Sequence, residues 1–250
     1  MSLIERITYL LFPGNCSICG ERVNGGDELC DKCKEEFIRE AFTRCPICDK
    51  SVAGCYCGAG FSEHVKDEIG GKRFVSLTFY DKTAKNRICE KLIYRLKDRG
   101  EFASFFADEL AREILSLFSR NGEDIKDWQT TYIPRSVAKF SEKGFDQSEE
   151  VAKRLANRLG IKFEKVFFRG AGGTVQKSLG REERRINAEE SILPMKRHIR
   201  PEGKYIVFDD VITTGASMET AIKLLYFYGA AKVLPVSIAK NLPRKTMIDN

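Results

Sequence analysis

The sequence lacks the features of a membrane or secreted protein. No run of apolar residues in its 250 positions approaches the roughly 20 that a membrane-spanning helix needs. The first 13 residues carry an apolar stripe, but Glu5 and Arg6 interrupt it and no small-residue cleavage site follows. This segment is therefore better explained by an amphipathic docking helix than by a signal peptide. We expect a cytoplasmic protein.

Histidine is also scarce, whereas cysteine is abundant near the N-terminus. His64 and His198 are each isolated in polar sequence and indicate no site. Eight of the nine cysteines form four close pairs: Cys16 and Cys19, Cys30 and Cys33, Cys45 and Cys48, Cys55 and Cys57. Two intervening residues let one tight turn present two thiolates to one ion, and four thiolates make a closed, structural zinc site. We expect two zinc ions, each bound by neighbouring pairs.

Other arrangements of these cysteines stay open. Alternate pairs could be cross-braced, and an iron–sulfur cluster is a further alternative. A disulfide framework would need an oxidising compartment, which nothing in the sequence supports. The ninth cysteine, Cys89, has apolar neighbours on a predicted helix and is expected in the core.

Helical and strand patterns alternate after the cysteines. We predict strands at 74–80, 128–133, 163–168, 204–208 and 232–239, and helices at 83–96, 102–118, 147–159 and 217–228. Such alternation predicts a parallel sheet covered on both faces, with ligands at the carboxyl ends of its strands. The expected organisation is a cysteine-rich module at 1–60, a linker at 61–72 and an α/β domain at 73–250.

An acidic pair and a Thr-Thr-Gly turn follow the fourth predicted strand. Asp209 and Asp210 come first, and a helix begins after the turn formed by Thr213, Thr214, Gly215, Ala216 and Ser217. The turn can direct backbone N–H groups and hydroxyls at one phosphate. Two carboxylates suit the hydroxyls of a diol. One phosphate beside one diol describes a ribose 5-phosphate, whereas helix capping alone leaves the acids unexplained.

Positive charge is concentrated in one part of the chain. The net charge is +6, and residues 153–204 hold 14 Lys or Arg against six Asp or Glu. This excess indicates either a solvated basic face or a cradle for phosphates on a small substrate or a nucleic acid. The acidic pair and its turn favour a small polyphosphate ligand.

These motifs together resemble a known family. The string VFDDVITTGAS at 207–217 resembles the phosphoribosyl pyrophosphate (PRPP) signature of type I phosphoribosyltransferases. The wider chain resembles the ComF (ComFC) family of competence-associated proteins, whose double zinc ribbon the cysteine pairs match. The segment KGFDQ at 143–147 is similar to that family's Arg-Gly-Phe-Asn-Gln element. The family also has a spaced pattern of Arg, Gln, Arg, Arg and Asn. This chain has a similar pattern at Arg169, Gln176, Arg181, Arg184 and Asn187.

The resemblance implies a fold and a set of roles. The fold is α/β, of the type I phosphoribosyltransferase kind, with a parallel sheet flanked by helices behind a small zinc-ribbon module. Asp209 and Asp210 would hold the ribose hydroxyls, and residues 213–217 the 5-phosphate. Arg135 and Ser136 occupy the pyrophosphate-loop position, where the family usually shows a different, proline-containing pattern.

The resemblance also implies a mobile loop and a metal cofactor. Residues 170–187 would close over PRPP, and Arg181, Arg184 and Arg185 would neutralise the leaving pyrophosphate together with Mg²⁺. The acceptor is not apparent from the sequence.

Two functions stay open on the sequence alone. One is a phosphoribosyltransferase; the other is a non-catalytic module that senses PRPP or handles single-stranded DNA. Besides PRPP, the resemblance implies single-stranded DNA or a DNA-uptake helicase or competence protein as a partner, with a role in natural transformation. A zinc-dependent scaffold alone would leave the acidic pair without a role.

Overall fold

The computed structural model describes residues 14–23, 28–52, 55, 57, 61–69, 74–81, 87–170 and 192–242. The strands are β1 (Gly14–Asn15), β2 (Arg22–Val23), β3 (Val75–Tyr80), β4 (Trp128–Tyr132), β5 (Lys162–Phe163), β6 (Phe167–Arg169), β7 (Ile192–Pro194), β8 (Lys204–Ile212) and β9 (Lys232–Asn241). The helices are α1 (Asp31–Ala41), α2 (Glu63–Glu68), α3 (Ile88–Arg99), α4 (Ala103–Asn121), α5 (Val137–Lys143), α6 (Gln147–Leu159) and α7 (Ala216–Phe227).

Five strands form one parallel sheet in the order β3-β9-β8-β4-β5. The central strands β9, β8 and β4 are buried on both sides, as expected of a sheet whose two faces are covered. Helices α3, α4 and α6 pack their apolar stripes on one face. Helices α2 and α7 and the antiparallel pair β6–β7 cover the other face. The predicted α/β class is confirmed, and the carboxyl ends of β4 and β8 lie side by side.

The first cysteine group packs directly on the α/β core. Cys16, Cys30 and Phe37 are buried in one cluster with residues of α3 and α4, and the Phe37 ring meets Phe105 edge-on at 5.2 Å. The Glu40 carboxylate accepts the first backbone N–H groups of α3, at 2.8 and 3.0 Å. Those N–H groups have no partner within the helix, so the module caps a helix of the α/β domain.

Several predicted boundaries change in the structure. The single strand predicted at 163–168 is two short strands in different sheets, β5 and β6. Strand β8 continues to Ile212, because Asp209 pairs with Ser237 and Val211 with Ala239 of β9. The acidic pair therefore lies inside the strand and not after it. The predicted linker contains helix α2, and helices α1 and α5 were not predicted. Residues 83–86 of the predicted helix 83–96 lie outside the described residues.

Among the described residues, no helix is both long and apolar enough to cross a membrane.

Candidate functional site

The acidic pair lies near the carboxyl end of β8, where successive side chains leave the strand on opposite sides. Asp210 is buried. Lys97 of α3 places its Nζ 3.3 Å from Asp210 Oδ1, and the Gln147 side-chain amide donates to Oδ2. Asp209 is partly exposed, and its Oδ1 accepts the backbone N–H of Asp210 at 2.9 Å. The pair is therefore asymmetric, with one carboxylate held by protein and one open to solvent.

The electrostatics follow from this crowding. Burial and the adjacent Asp210 raise the pKa of Asp209 to about 8, although Lys97 and Arg169 act in the opposite direction. Burial lowers the pKa of Lys97, but the attraction of Asp210 outweighs it and the net shift is upward. Asp209 is thus mostly protonated at pH 7. A ligand that favours the ionised carboxylate would therefore release a proton from Asp209 when it binds.

The turn at 213–217 connects β8 to α7. Gly215 is the N-cap with φ 79°, in the left-handed region that favours glycine. Thr214 Oγ1 accepts the Ala216 N–H at 3.5 Å, and Ser217 is partly exposed. Glu219, the acid of the first helical turn, is engaged by Ser62 Oγ and Lys223 at 2.8 Å each. Its charge is therefore compensated, and the helix N-terminus can accept an anion.

The segment at 143–147 ties the loop after β4 to the acidic pair. Asp146 is the N-cap of α6, and its carboxylate accepts the Ser148 N–H at 3.0 Å. The same carboxylate accepts the Arg135 N–H at 2.7 Å. Gln147, the next residue, is the one that contacts Asp210. Asp146 and Gln147 thus fix the predicted pyrophosphate loop and the buried acid relative to one another.

Two arginines brace the loop after β4. The Arg135 guanidinium donates to the Lys97 carbonyl at 2.8 Å and lies over the Phe145 ring, 5.4 Å from its centroid. Arg169 donates from Nε to the Pro134 carbonyl at 2.9 Å and from Nη2 to Ser217 Oγ at 3.3 Å. Arg169 therefore links the loop after β4 to the turn that precedes α7.

Three buried polar atoms of this region have no hydrogen-bond partner in the part of the chain that the structure describes. They are Arg135 Nε, Ser136 Oγ and Gln147 Oε1. Most buried polar atoms in native proteins are paired, so unpaired ones need an explanation such as an absent ligand or water. All three lie beside the acidic pair or on the loop after β4.

The structure brings most of the predicted residues together. Asp209 and Asp210, the turn at 213–217 and the pair Arg135–Ser136 converge at the carboxyl edge of β4 and β8. Arg181, Arg184 and Arg185 lie outside the described residues. Sequence reasoning missed Lys97 entirely, and named Gln147 and Arg169 only as parts of motifs. Lys97 carries no sequence signal, since it merely follows the apolar stripe of α3.

The Lys97–Asp210 contact gives a first prediction. Lys97→Met should destabilise the protein by about 1–2 kcal/mol, below the 3–5 kcal/mol typical of a fully buried pair, because the Lys97 side chain is 39% exposed. Adding Asp210→Asn should restore most of that loss, since it removes the uncompensated charge. Urea unfolding of both single variants and the double variant measures the coupling. If Lys97→Met changes the free energy of unfolding no more than Lys91→Met, at an exposed position on the same helix, the Lys97–Asp210 pair contributes nothing to stability.

The cysteines form two separate four-sulfur clusters. One contains Cys16, Cys19, Cys30 and Cys33, the other Cys45, Cys48, Cys55 and Cys57, and within each the Sγ atoms all lie within 4.8 Å of one another. Four sulfurs bound at 2.3 Å to a tetrahedral zinc ion are about 3.8 Å apart, so both clusters fit the ion. Neighbouring pairs share a cluster, in agreement with the first-choice prediction, and alternate pairs do not.

The thiol environments also suit metal binding. All nine cysteines are free, and Cys89 is buried outside both clusters, as predicted. Burial opposes ionisation of Cys16, but backbone hydrogen bonds outweigh it and lower the pKa to about 6. Backbone and thiol hydrogen bonds likewise lower the pKa of Cys48 to about 7 against the effect of burial. Each cluster therefore contains a thiol whose pKa is lowered toward neutral pH. Burial raises the pKa of Cys30 and Cys33 in the first cluster and of Cys55 and Cys57 in the second, so zinc binding must displace protons from these thiols.

Fold and site define an α/β protein with a parallel sheet, an acidic pair near the carboxyl edge of that sheet, and two N-terminal cysteine clusters that could hold zinc. Over 238 residues the chain is 24% identical to the competence protein ComFC of Streptococcus pneumoniae, covering 90% of this chain and 99% of that protein. It is 25% identical over 229 residues to the DNA utilization protein YhgH of Salmonella typhimurium, covering 90% and 96%. These relatives confirm the resemblance to the ComF family. No family model matches the chain.

Solved phosphoribosyltransferases overlap with part of the chain. The hypoxanthine phosphoribosyltransferase of Trypanosoma cruzi superposes with a TM-score of 0.35 at 12% identity, covering 55% of this chain and 64% of the enzyme. That of Staphylococcus aureus gives a TM-score of 0.34 at 12% identity, covering 54% and 62%. The chain thus spans less than two thirds of each of these enzymes.

Proposed function

We propose that the protein binds PRPP with Mg²⁺ at the carboxyl edge of β4 and β8 and transfers its 5-phosphoribosyl group to an acceptor. The observation that carries the proposal is that the acidic pair of β8 is followed, after a short turn, by a helix N-terminus that can accept a phosphate. Two carboxylates suited to a diol and a helix N-terminus suited to an anion are therefore only a few residues apart in one strand–turn–helix unit.

The ribose would lie over the acidic pair. Asp209, the partly exposed acid, would accept a ribose hydroxyl directly, and Asp210 the other. Lys97 and Gln147 would keep Asp210 oriented, because each contacts a different oxygen of its carboxylate. A hydrogen bond from a hydroxyl to a carboxylate contributes about 1.5–3 kcal/mol, so the pair supplies much of the selectivity for ribose.

The phosphates would lie on either side of the ribose. The 5-phosphate would accept N–H groups of the turn at 213–217 and the Ser217 hydroxyl. The pyrophosphate would meet the loop after β4, where Ser136 Oγ and Arg135 Nε are buried and unpaired in the described part of the chain. Arg181, Arg184 and Arg185 would add positive charge from the predicted loop. Mg²⁺ would be held mainly by oxygens of PRPP and would neutralise the departing polyanion.

The reaction would displace pyrophosphate from ribose C1. The C1–O bond to pyrophosphate breaks with its electron pair on the leaving oxygen, and the acceptor's nucleophilic atom forms the new bond to C1. Positive charge develops on the ribose ring while the polyanion separates. Catalysis would then come from positioning and from fixed charges, not from a protein nucleophile.

We further propose a role in DNA uptake in natural transformation, on the cytoplasmic side of the membrane. The names of the two relatives, a competence protein and a DNA utilization protein, support it. Single-stranded DNA and a DNA-uptake helicase or another competence protein are the proposed partners.

The basic excess at 153–204 favours a second candidate, a non-catalytic module that handles single-stranded DNA. Such binding should weaken steeply as salt rises; a gel shift without binding at low salt would remove it.

Calorimetric titration with PRPP, with and without Mg²⁺, tests the pocket. We expect saturable binding that depends on Mg²⁺, and weaker binding of ribose 5-phosphate, which lacks the pyrophosphate. Thermal melts with each ligand give an independent measure, because a ligand that binds only the folded state raises its stability. Neither heat nor thermal stabilisation at millimolar PRPP would contradict the proposal and leave nucleic-acid binding as the next function to test.

A further inference from the structure

One lysine of the parallel sheet has no conventional charge partner. Lys240 lies on β9, between Phe79 of β3 and Ile212 of β8 in the register of the sheet, and its side chain is fully buried, with 0% of its surface exposed. In the described part of the chain its Nζ contacts backbone carbonyls and aromatic rings but no carboxylate. A buried ammonium without a counter-charge is strongly unfavourable, so its surroundings must supply one.

The surroundings of Lys240 are the second cysteine cluster. Its Nζ donates to the Val52 carbonyl at 2.7 Å and to the Cys55 carbonyl. It also lies over the rings of Phe74 and Phe79, 5.2 and 5.4 Å from their centroids. Phe79 is packed in the same small core as Cys45 and Cys55. The lysine thus enters the cysteine cluster from the sheet and binds the backbone that carries a ligand.

The negative charge of the second cluster explains its contact with Lys240. Four thiolates around one divalent cation carry a net charge of −2, and all four thiols of this cluster interact electrostatically with Lys240. The ammonium would halve that charge inside a buried region, and the cluster would in turn supply the counter-charge that the lysine lacks. The first cluster packs instead on α3 and α4.

We propose that Lys240 is a second-sphere residue of the cluster formed by Cys45, Cys48, Cys55 and Cys57, and that it couples ion retention there to the packing of β9. The ion and the strand then stabilise one another across the junction between the cysteine-rich module and the sheet. Because Lys240 pairs in register with Ile212, the residue before the turn at 213–217, this junction supports the strand end that carries the candidate site.

Release of zinc to a chromophoric chelator from the zinc-loaded 250-residue chain tests the proposal. Second-sphere changes typically weaken metal affinity by about 10- to 100-fold. Lys240→Met should therefore release one of the two ions about 10- to 100-fold more readily and leave the other unchanged. Lys232→Met, at the exposed start of the same strand, is the matched control and should release both ions as the unaltered protein does. Wild-type release of both ions from Lys240→Met would overturn the proposal.

A second measurement needs no change at Lys240 and remains decisive if that variant fails to fold. Amine acylation followed by mass spectrometry should leave Lys240 unlabelled in the zinc-loaded protein while exposed Lys232 reacts. In Cys48→Ser, which weakens the second cluster, Lys240 should become reactive. In Cys19→Ser, which weakens the first, it should stay protected. Protection in both variants, or equal labelling in both, would show that Lys240 and the second cluster are not specifically coupled.

Discussion

Replacing Asp209 and Asp210 together by asparagine should abolish PRPP binding while leaving the fold intact. The two carboxylates would lose charge-assisted hydrogen bonds worth about 1.5–3 kcal/mol each, which corresponds to an affinity loss of more than about a hundredfold. Calorimetric titration of the double variant with PRPP and Mg²⁺ measures this loss. Asp127→Asn, a change at an exposed acid that pairs with Lys204, is the control and should bind as the unaltered protein does.

Replacing Asp209 alone by asparagine should increase stability at alkaline pH. Asp209 has a pKa of about 8 in the folded protein against an ordinary 3.8, so the folded state binds more protons than the unfolded state between those values. Stability therefore falls as pH rises from about 4 to about 8, and the full penalty applies above that range. Asp209→Asn removes the penalty, and its gain in melting temperature should be near zero at pH 4 and largest above pH 8.

The two readouts separate function from folding. Loss of PRPP binding together with a gain in alkaline stability is the outcome expected of a site that sacrifices stability for binding. PRPP binding that survives the double replacement would contradict the ribose assignment. A melting temperature that does not respond to Asp209→Asn at any pH would contradict a carboxyl whose pKa is raised by its surroundings and by Asp210, whatever the protein binds.

Local pattern was enough to predict much of this fold. Helix α6 begins at Gln147 and ends before Gly160, as the apolar stripe and the terminal glycine indicate, and Gly160 adopts the left-handed conformation. The cysteine pairs cluster with their sequence neighbours. In both cases the decisive interactions join residues that are close along the chain, which is the range over which sequence periodicity and spacing carry information.

The contacts that complete the site join distant segments. Lys97, Gln147 and Arg169 come from three separate elements and meet around Asp209 and Asp210 only after the sheet has formed. No periodicity distinguishes Lys97 from any other lysine at the end of an amphipathic helix. The split of the predicted strand at 163–168 has the same origin, because apolar alternation indicates a strand but does not indicate which sheet it joins.

The largest effect on folding is expected from loss of a zinc ion. A structural zinc ion contributes about 10–16 kcal/mol in zinc-finger peptides, whereas a whole domain is stable by about 5–15 kcal/mol. Cys33→Ser removes a buried ligand of the first cluster, so it should lower the zinc content from two ions to one. It should also cause a large fall in the melting temperature, which circular dichroism measures.

The damage should reach the α/β domain because the first cluster is joined to it. Glu40, about two turns after the ligand Cys33 in α1, caps α3, and Glu28 accepts the Phe102 N–H at the start of α4 at 2.9 Å. Hydrogen exchange in Cys33→Ser should therefore accelerate in α3, the helix that carries Lys97, and PRPP affinity should fall with it.

Cys89→Ala is the matched control: Cys89 is equally buried but belongs to neither cluster. It should keep two zinc ions and lose only about 1 kcal/mol, as an average substitution does. Equal zinc loss in both variants would contradict the assigned ligands. Loss of zinc from Cys33→Ser without any change in α3 would show that the cysteine-rich module folds independently of the candidate site.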